Sequence, residues 1–124
     1  MTSARLPLFV ESPEFTSRWS RLGLFDGDLA ALQWVLIAEP TVGSVIEKTG
    51  GFRKMRFAPP SMQRGKSGGT RVIYLHLPHL HTLVLGTVYA KGEKATLNAM
   101  DKKALTMLSQ VYERILTRHF GRRE

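Results

Sequence analysis

Three strand-like segments follow one another in the middle of the chain, and turn-forming residues separate them. The first, Phe52–Phe57, is followed by about twelve turn-forming residues, Ala58 to Gly69. Thr70–Leu77 and Leu80–Tyr89 come next, with Pro78-His79 between them. Both are rich in β-branched, leucine and aromatic residues, so they predict a hairpin. A chain with this pattern is expected to build its core on a β-sheet.

The residues before this sheet carry helical patterns. Ser12 is a typical N-cap residue and Pro13 suits the first helical position, so a helix is expected from there to about Leu22. Asp26–Ala38 has leucines at helical spacing, and Pro40 prevents its continuation. The short connection between the two helices predicts an antiparallel helical hairpin.

The C-terminal residues predict one long helix. Asn98 and Asp101 stand three residues apart, as in the reciprocal caps that begin helices. Apolar residues then recur at helical spacing until about Gly121. They are Leu105, Leu108, Val111, Tyr112, Ile115 and Leu116. With Leu6–Glu11 as a first strand, the expected order is β-α-α-β-β-β-α, an α+β fold whose antiparallel sheet carries helices mainly on one face.

The net charge of +8 is concentrated in one part of the chain. Residues 48–94 contain nine basic residues and one acid, whereas residues 1–47 contain more acids than bases. A localised positive potential is what a phosphate-binding surface requires, and nucleic acid is the commonest polyanion that a basic protein meets.

Composition excludes several other classes. The 124 residues are enough for a single domain, 1–124. No cysteine is present, so disulfides and thiolate metal sites are excluded. No apolar run approaches the roughly 20 residues of a membrane helix, and we expect a cytoplasmic protein. His76, His79 and His81 are close in sequence, but two of them flank a Pro-containing turn and no carboxylate or cysteine lies nearby, so no metal site is predicted.

The basic residues are expected to meet at one end of the sheet. Because side chains alternate along a strand, Lys54 and Arg56 share a face and Arg53 lies on the other. If the strands are adjacent, up to five cations come together there: Lys54, Arg56, Arg71, Lys91 and Lys94. The turn-forming segment adds Arg64 and Lys66 among glycines, which allow a backbone to approach a phosphate closely.

Such a cluster suits cleavage of RNA by its own 2′-hydroxyl. That reaction needs activation of the hydroxyl, stabilisation of charge on the phosphoryl oxygens and protonation of the leaving oxygen. Arginine holds a phosphate bidentately, and a lysine whose pKa is lowered by neighbouring cations can transfer a proton. A surface that only binds nucleic acid, or a solvated basic face, would carry the same residues.

Several motifs resemble the RelE/HigB superfamily of bacterial toxins, and most closely its HigB-like branch. They are "GGFRKMRF", "GGTRVIYL" and "LVLGTVYAKGEK", followed by the long amphipathic helix, and the resemblance covers roughly residues 8 to 118. It implies a ribosome-dependent, metal-independent endoribonuclease without a cofactor. Such an mRNA interferase inhibits translation as the toxin of a type II toxin–antitoxin pair. The implied partners are mRNA, the ribosome and an antitoxin with a helix-turn-helix domain.

The resemblance also implies roles for individual residues. Arg71 matches the arginine that contacts the scissile phosphate, and Lys54 and Arg56 match a basic pair placed for acid–base or phosphate work. Lys91 and Lys94 match basic positions after the last strand. We assign RNA binding to Arg53, Arg64, Lys66 and Tyr89. Tyr112 is interpreted as a core residue, so the general base is left open.

Two alternatives use the same surface. One is a nucleic-acid-binding domain without catalysis, and the other is a degenerate toxin that serves as a regulatory subunit.

Overall fold

A computed structural model describes residues 5–62, 69–93 and 97–121. Its elements, in chain order, are β1 (Leu8–Glu11), α1 (Pro13–Arg21), α2 (Asp26–Ala38), β2 (Ser44–Val45), β3 (Phe52–Phe57), β4 (Thr70–Leu77), β5 (Thr82–Ala90) and α3 (Ala99–Gly121). Short 3-10 turns occupy Pro60–Met62 and Pro78–Leu80. The fold is α+β, with one five-stranded sheet and three helices.

The predicted start of α1 is confirmed. The Ser12 hydroxyl accepts a hydrogen bond from the backbone N–H of Phe15 (3.0 Å) and donates one to the carbonyl of Gly86 (2.6 Å). Pro13 occupies the first turn. Because the cap bonds both to its own helix and to β5, it fixes the N-terminus of α1 against the sheet.

The reciprocal cap of α3 is confirmed as well. The carboxylate of Asp101 accepts from the backbone N–H of Asn98 (3.0 Å), and the Asn98 side chain accepts from the N–H of Asp101 (2.8 Å). Two backbone donors that the helix cannot satisfy are thereby bonded.

The sheet is mixed rather than antiparallel, which corrects the sequence-based expectation. The strand order is β1-β5-β4-β3-β2, and β1 pairs parallel to β5 from Leu8↔Thr82 to Glu11↔Leu85. The other pairings are antiparallel. The two-residue strand β2 was not predicted. Strand patterns report which face is buried but not the direction of a distant partner, so the parallel pairing left no local signal.

Helices cover both faces of the sheet, which also differs from the expectation of one helical face. On one face, Phe15 and Trp19 of α1 and Leu32 and Leu36 of α2 form a core with residues of the sheet such as Tyr74. On the opposite face, α3 packs against another core. The residues of that core include Phe52, Ile73, Leu75, Leu77, Val84 and Leu116. Each face of the sheet is therefore shielded by its own helical layer.

Only part of the predicted apolar stripe of α3 faces the sheet. Leu105, Leu108 and Tyr112 pack into the α3 core together with buried Leu116. Val111 and Ile115 point outward and are 37% and 53% exposed. A helix on one sheet can bury only one side, and the apolar residues of α3 occupy more than one side.

The first and last strands begin later than predicted. β5 starts at Thr82 rather than Leu80 because Pro78–Leu80 forms a 3-10 turn, after which His81 adopts a left-handed conformation (φ 51°). β1 starts at Leu8 rather than Leu6. Within the described ranges, no helix combines the length and apolar character that a membrane crossing requires.

A buried carboxylate holds the beginning of the segment that follows β3. Asp28 is 2% exposed and accepts hydrogen bonds from the backbone N–H of Phe25 (2.9 Å) and from the N–H and hydroxyl of Ser61 (2.9 and 2.7 Å). Burial raises the pKa of Asp28, but these hydrogen bonds outweigh it and hold the pKa below the ordinary value of 3.8. Asp28 is therefore a charged clamp between α2 and the residues after β3.

Candidate nucleic-acid interface

Three cationic side chains lie side by side on β3 and β4. The antiparallel register sets Arg56 directly opposite Arg71, and Lys54 lies two residues from Arg56 on the same face of β3. Neighbouring strands are about 4.8 Å apart and alternate residues about 7 Å apart, so the three Cα atoms fall within a small area. We call Lys54, Arg56 and Arg71 the cationic patch.

The patch occupies the sheet face that α3 covers only in part. Ile73 and Phe52, which share this face, are fully buried in the α3 core. Farther along the same strands, Arg56 is exposed and Lys54 and Arg71 are half-buried. The stems of the half-buried cations therefore lie against apolar residues while the side chains still reach solvent.

Lys54 and Arg56 take part in none of the ion pairs of the described ranges. Arg18 pairs with Glu14 (3.3 Å) and Glu93 (3.5 Å), and His79 pairs with Glu113. Arg71 donates a hydrogen bond to the carbonyl of Thr70 (3.3 Å). Like charges that are held close together favour the binding of an anion such as a phosphate.

Lys91 lies at the same end of the sheet. It directly follows β5, is exposed, and its backbone N–H donates to the carbonyl of Gly69 (3.1 Å), beside the start of β4. Arg71 is the second residue of β4, so the prediction that Lys91 and Arg71 share one end of the sheet is confirmed. Gly69 itself has φ 51°, and a Cβ there would meet the Phe57 carbonyl oxygen at 2.6 Å.

Arg53 does not belong to the patch. It lies on the opposite face of β3, and its guanidinium donates to the backbone carbonyls of Gly43 (2.7 Å) and Thr41 (3.4 Å). These bonds hold the loop after α2, which the Tyr74 hydroxyl also binds. Arg53 therefore has a structural role on the face opposite the patch, and RNA binding by this residue stays a prediction.

Tyr89 is adjacent to the patch but buried. It is the cross-strand neighbour of Arg71 on β5 and is only 3% exposed. Its ring packs in the α3 core, so no open face of the ring is presented for a nucleobase to stack on. The predicted contact with RNA is therefore replaced by a packing role beside Arg71. Lys94, Arg64 and Lys66 lie outside the described residues.

Lys102 is a cation of this surface that sequence reasoning missed. A groove of about 340 Å³ runs between α3 and the β2–β3 hairpin, and its only charged lining residues in the described part of the chain are Lys54 and Lys102. The other lining residues are Ser44, Val45, Ile46 and Leu97. Lys102 directly follows the capping residue Asp101, which places it in the first turns of a helix that begins beside the patch. Its position one residue after the predicted cap was the one feature of the sequence that could have indicated Lys102 as part of this surface.

Side chains of α3 fasten the helix to the hairpin that carries Lys54. The Thr106 hydroxyl donates to the carbonyl of Lys48 (3.0 Å), and the Ser109 hydroxyl donates to that of Gly50 (3.1 Å). A Cβ at Gly50 would come within 2.4 Å of the Ser109 oxygen, so glycine is needed for this close approach. These two hydrogen bonds join α3 to the β2–β3 hairpin and so help to set the spacing between Lys54 and Lys102.

A second cavity, of about 290 Å³, lies between α1, β5 and α3. Its walls are mainly apolar and include Ile73, Leu105 and Leu108, and Tyr89 lines it on the side of the patch. Arg18 and Asp101 contribute polar groups at its edge.

The histidines of β4 and its following turn, and Tyr112, do not supply a base to the patch. His79 and His81 lie in the turn between β4 and β5, at the opposite end of these strands from Arg71. His76 is on β4, where burial and then the charge of Arg53 lower its pKa. Burial raises the pKa of Tyr112, which packs in the α3 core as expected. Within the patch itself, Lys54 is the side chain whose chemistry suits proton transfer.

No protein-family model matches the chain.

Proposed function

We propose that this chain is a metal-independent endoribonuclease that cuts mRNA on the ribosome, as the toxin of a type II toxin–antitoxin pair. The observation that carries the proposal is the cross-strand pair of Arg56 and Arg71 with Lys54 beside it, on a part of the sheet that reaches solvent. The motifs that resemble the RelE/HigB superfamily contribute these same three residues.

The chemistry follows from the residue types. The ribose 2′-oxygen attacks the adjacent phosphorus, the bond to the 5′-oxygen breaks, and a 2′,3′-cyclic phosphate and a 5′-hydroxyl result. Arg56 and Arg71 stabilise the charge that develops on the non-bridging oxygens. Lys54 takes part in the proton transfer that accompanies attack or departure. Lys102 and Lys91 bind flanking phosphates.

A cell-free translation reaction tests this proposal. Primer extension on a translated mRNA should show cuts with the wild-type protein and none when ribosomes are left out. Arg71→Ala and Lys54→Ala should abolish cutting, whereas Arg21→Ala, an exposed arginine at the end of α1, should cut like wild type. Circular dichroism of each variant checks that it is folded. An active Arg71→Ala protein would rule out the assignment.

Binding of nucleic acid without cleavage is the second candidate. It is favoured by the same patch and by the presence of a single proton-transferring side chain, Lys54, within it. Salt-sensitive binding of RNA by a wild-type protein that leaves translated mRNA intact would establish it. Tight binding of a cognate antitoxin together with intact mRNA and no RNA binding would instead indicate a regulatory subunit.

A further inference from the structure

Helix α3 carries a second apolar stripe on a flank that the sheet leaves exposed. Its members recur at intervals of four and three residues and therefore share one side of the helix. They are Met100, Ala104, Met107, Val111 and Ile115. The four large side chains are 77%, 57%, 37% and 53% exposed, in chain order. We call this set the outer stripe, and at 1.5 Å per residue it is about 22 Å long.

The fold does not account for the outer stripe. A helix that packs on a sheet normally carries polar residues on its opposite side. Here Leu105, Leu108, Tyr112 and Leu116 already provide the side that faces the sheet. Contiguous exposed apolar residues on a folded domain mark interaction sites, whereas single exposed ones are common.

Charge around the outer stripe indicates the kind of partner. The exposed ionisable residues of α3 in the described range include the cations Lys103, Arg114 and Arg118 and no carboxylate. The two acids of this range are half-buried and bonded, since Asp101 caps the helix and Glu113 pairs with His79. A partner with acidic residues beside its apolar ones would be complementary. A second copy of the chain would instead oppose cations to cations.

The cavity between α1, β5 and α3 borders the outer stripe. Ala104 belongs to the stripe and also lines this cavity, whose other walls include Ile73, Leu105 and Leu108. With a volume of about 290 Å³, the cavity has room for one large apolar side chain. An anchor residue in such a pocket is a common centre of binding energy in protein interfaces.

We propose that the outer stripe binds an acidic amphipathic helix of a partner protein, with one large apolar side chain of that helix in the cavity. About four turns of the partner would match the length of the stripe. Its acids would face Lys103 and Arg114. The proposal uses a different side of α3 from the cationic patch and holds whether or not the chain cleaves RNA.

A designed peptide tests the proposal. The probe is a labelled helical peptide of three heptads with leucine at positions a and d and glutamate at e and g, followed by fluorescence anisotropy. The full chain should bind it saturably, and Met107→Glu should weaken binding by about tenfold or more. Trp34→Glu makes the same kind of change at an exposed apolar position of α2, on the other face of the sheet, and should change the affinity by less than about threefold.

Four results would overturn the proposal. The first is the absence of saturable binding, and the second is equal weakening by Met107→Glu and Trp34→Glu. The third is a dimer in sedimentation velocity that Met107→Glu dissolves, which would make the occupant a second copy. The fourth is binding to vesicles of equal parts phosphatidylcholine and phosphatidylglycerol that Met107→Glu abolishes, which would make it a lipid surface. A peptide with lysine at e and g should bind much more weakly than the glutamate peptide, and equal binding would refute the charge argument.

Discussion

Removal of Lys102 should reduce the salt dependence of RNA binding by the equivalent of one phosphate contact. Lys54 and Lys102 line the same groove, no carboxylate is among its lining residues, and neither lysine forms an ion pair within the described ranges. Two lysines on facing sides of a groove are placed to contact the phosphates of one strand. Lysine acts as a compact point charge, so we assign one phosphate to each.

The expected magnitude follows from counterion release. On a single strand, each neutralised phosphate contributes about 0.7 to the slope of log affinity against log salt. The slope should therefore become shallower by about 0.7 in Lys102→Ala and by about 1.4 in the variant that lacks both lysines. Between 50 and 200 mM salt, the affinity of a variant that has lost one contact should therefore fall about 2.6-fold less than that of the wild type.

Fluorescence anisotropy with a 2′-O-methyl oligoribonucleotide is the assay, because blocking the 2′-hydroxyl prevents cleavage during the titration. Lys103→Ala is the matched control, since Lys103 is the next residue of α3 and is exposed rather than half-buried. If Lys102→Ala kept the wild-type slope, or if Lys103→Ala lowered it equally, the groove would not be part of the RNA path.

Three further changes test what holds the site in place. Tyr74→Phe removes two buried hydrogen bonds to the loop after α2 and should lower the free energy of unfolding by about 2 kcal/mol in urea titrations; an unchanged midpoint would contradict this. The pKa of Asp28 is lowered in the folded state, so its charge stabilises the fold above pH 3.8, and this stabilisation is lost as the pH falls through the folded pKa. Asp28→Asn should therefore be less stable than the wild type at neutral pH and should lose less stability on acidification. Equal acid sensitivity of the two proteins in thermal melts would argue against this clamp. Gly69→Ala should cost about 2 kcal/mol because of its positive φ and its contact with the Phe57 carbonyl, and a melting temperature within a degree of wild type would show that β4 can shift.

Local patterns predicted most elements closely. The bounds of α2, β3 and β4 agree with the prediction, because the residues that begin and end them act within one turn of the chain. The helix caps at Ser12 and Asn98 were predictable for the same reason, because they too depend on residues within one turn of the chain. Alternation along β3 also separated Lys54 and Arg56 from Arg53, since the direction of a side chain on a strand depends only on its position.

The candidate site was predictable where it depends on a single hairpin or strand. Arg71 at the start of β4 faces Arg56 because antiparallel neighbours in sequence pair in register. Lys102 was missed because its proximity to Lys54 depends on where α3 docks. The burial of Tyr89 was missed for the same reason, since the residues that cover it come from the α3 core.

The sequence by itself determined the bounds of α2, β3 and β4, the start of α1 and which cations share a face of β3, because these properties depend on interactions within a few residues. Only the tertiary structure decided that β1 runs parallel to β5, that α3 covers the face opposite α1 and α2, and that Val111 and Ile115 point away from the sheet. These features depend on which distant surfaces bury the most apolar area against one another, and burial is a property of the whole packed chain.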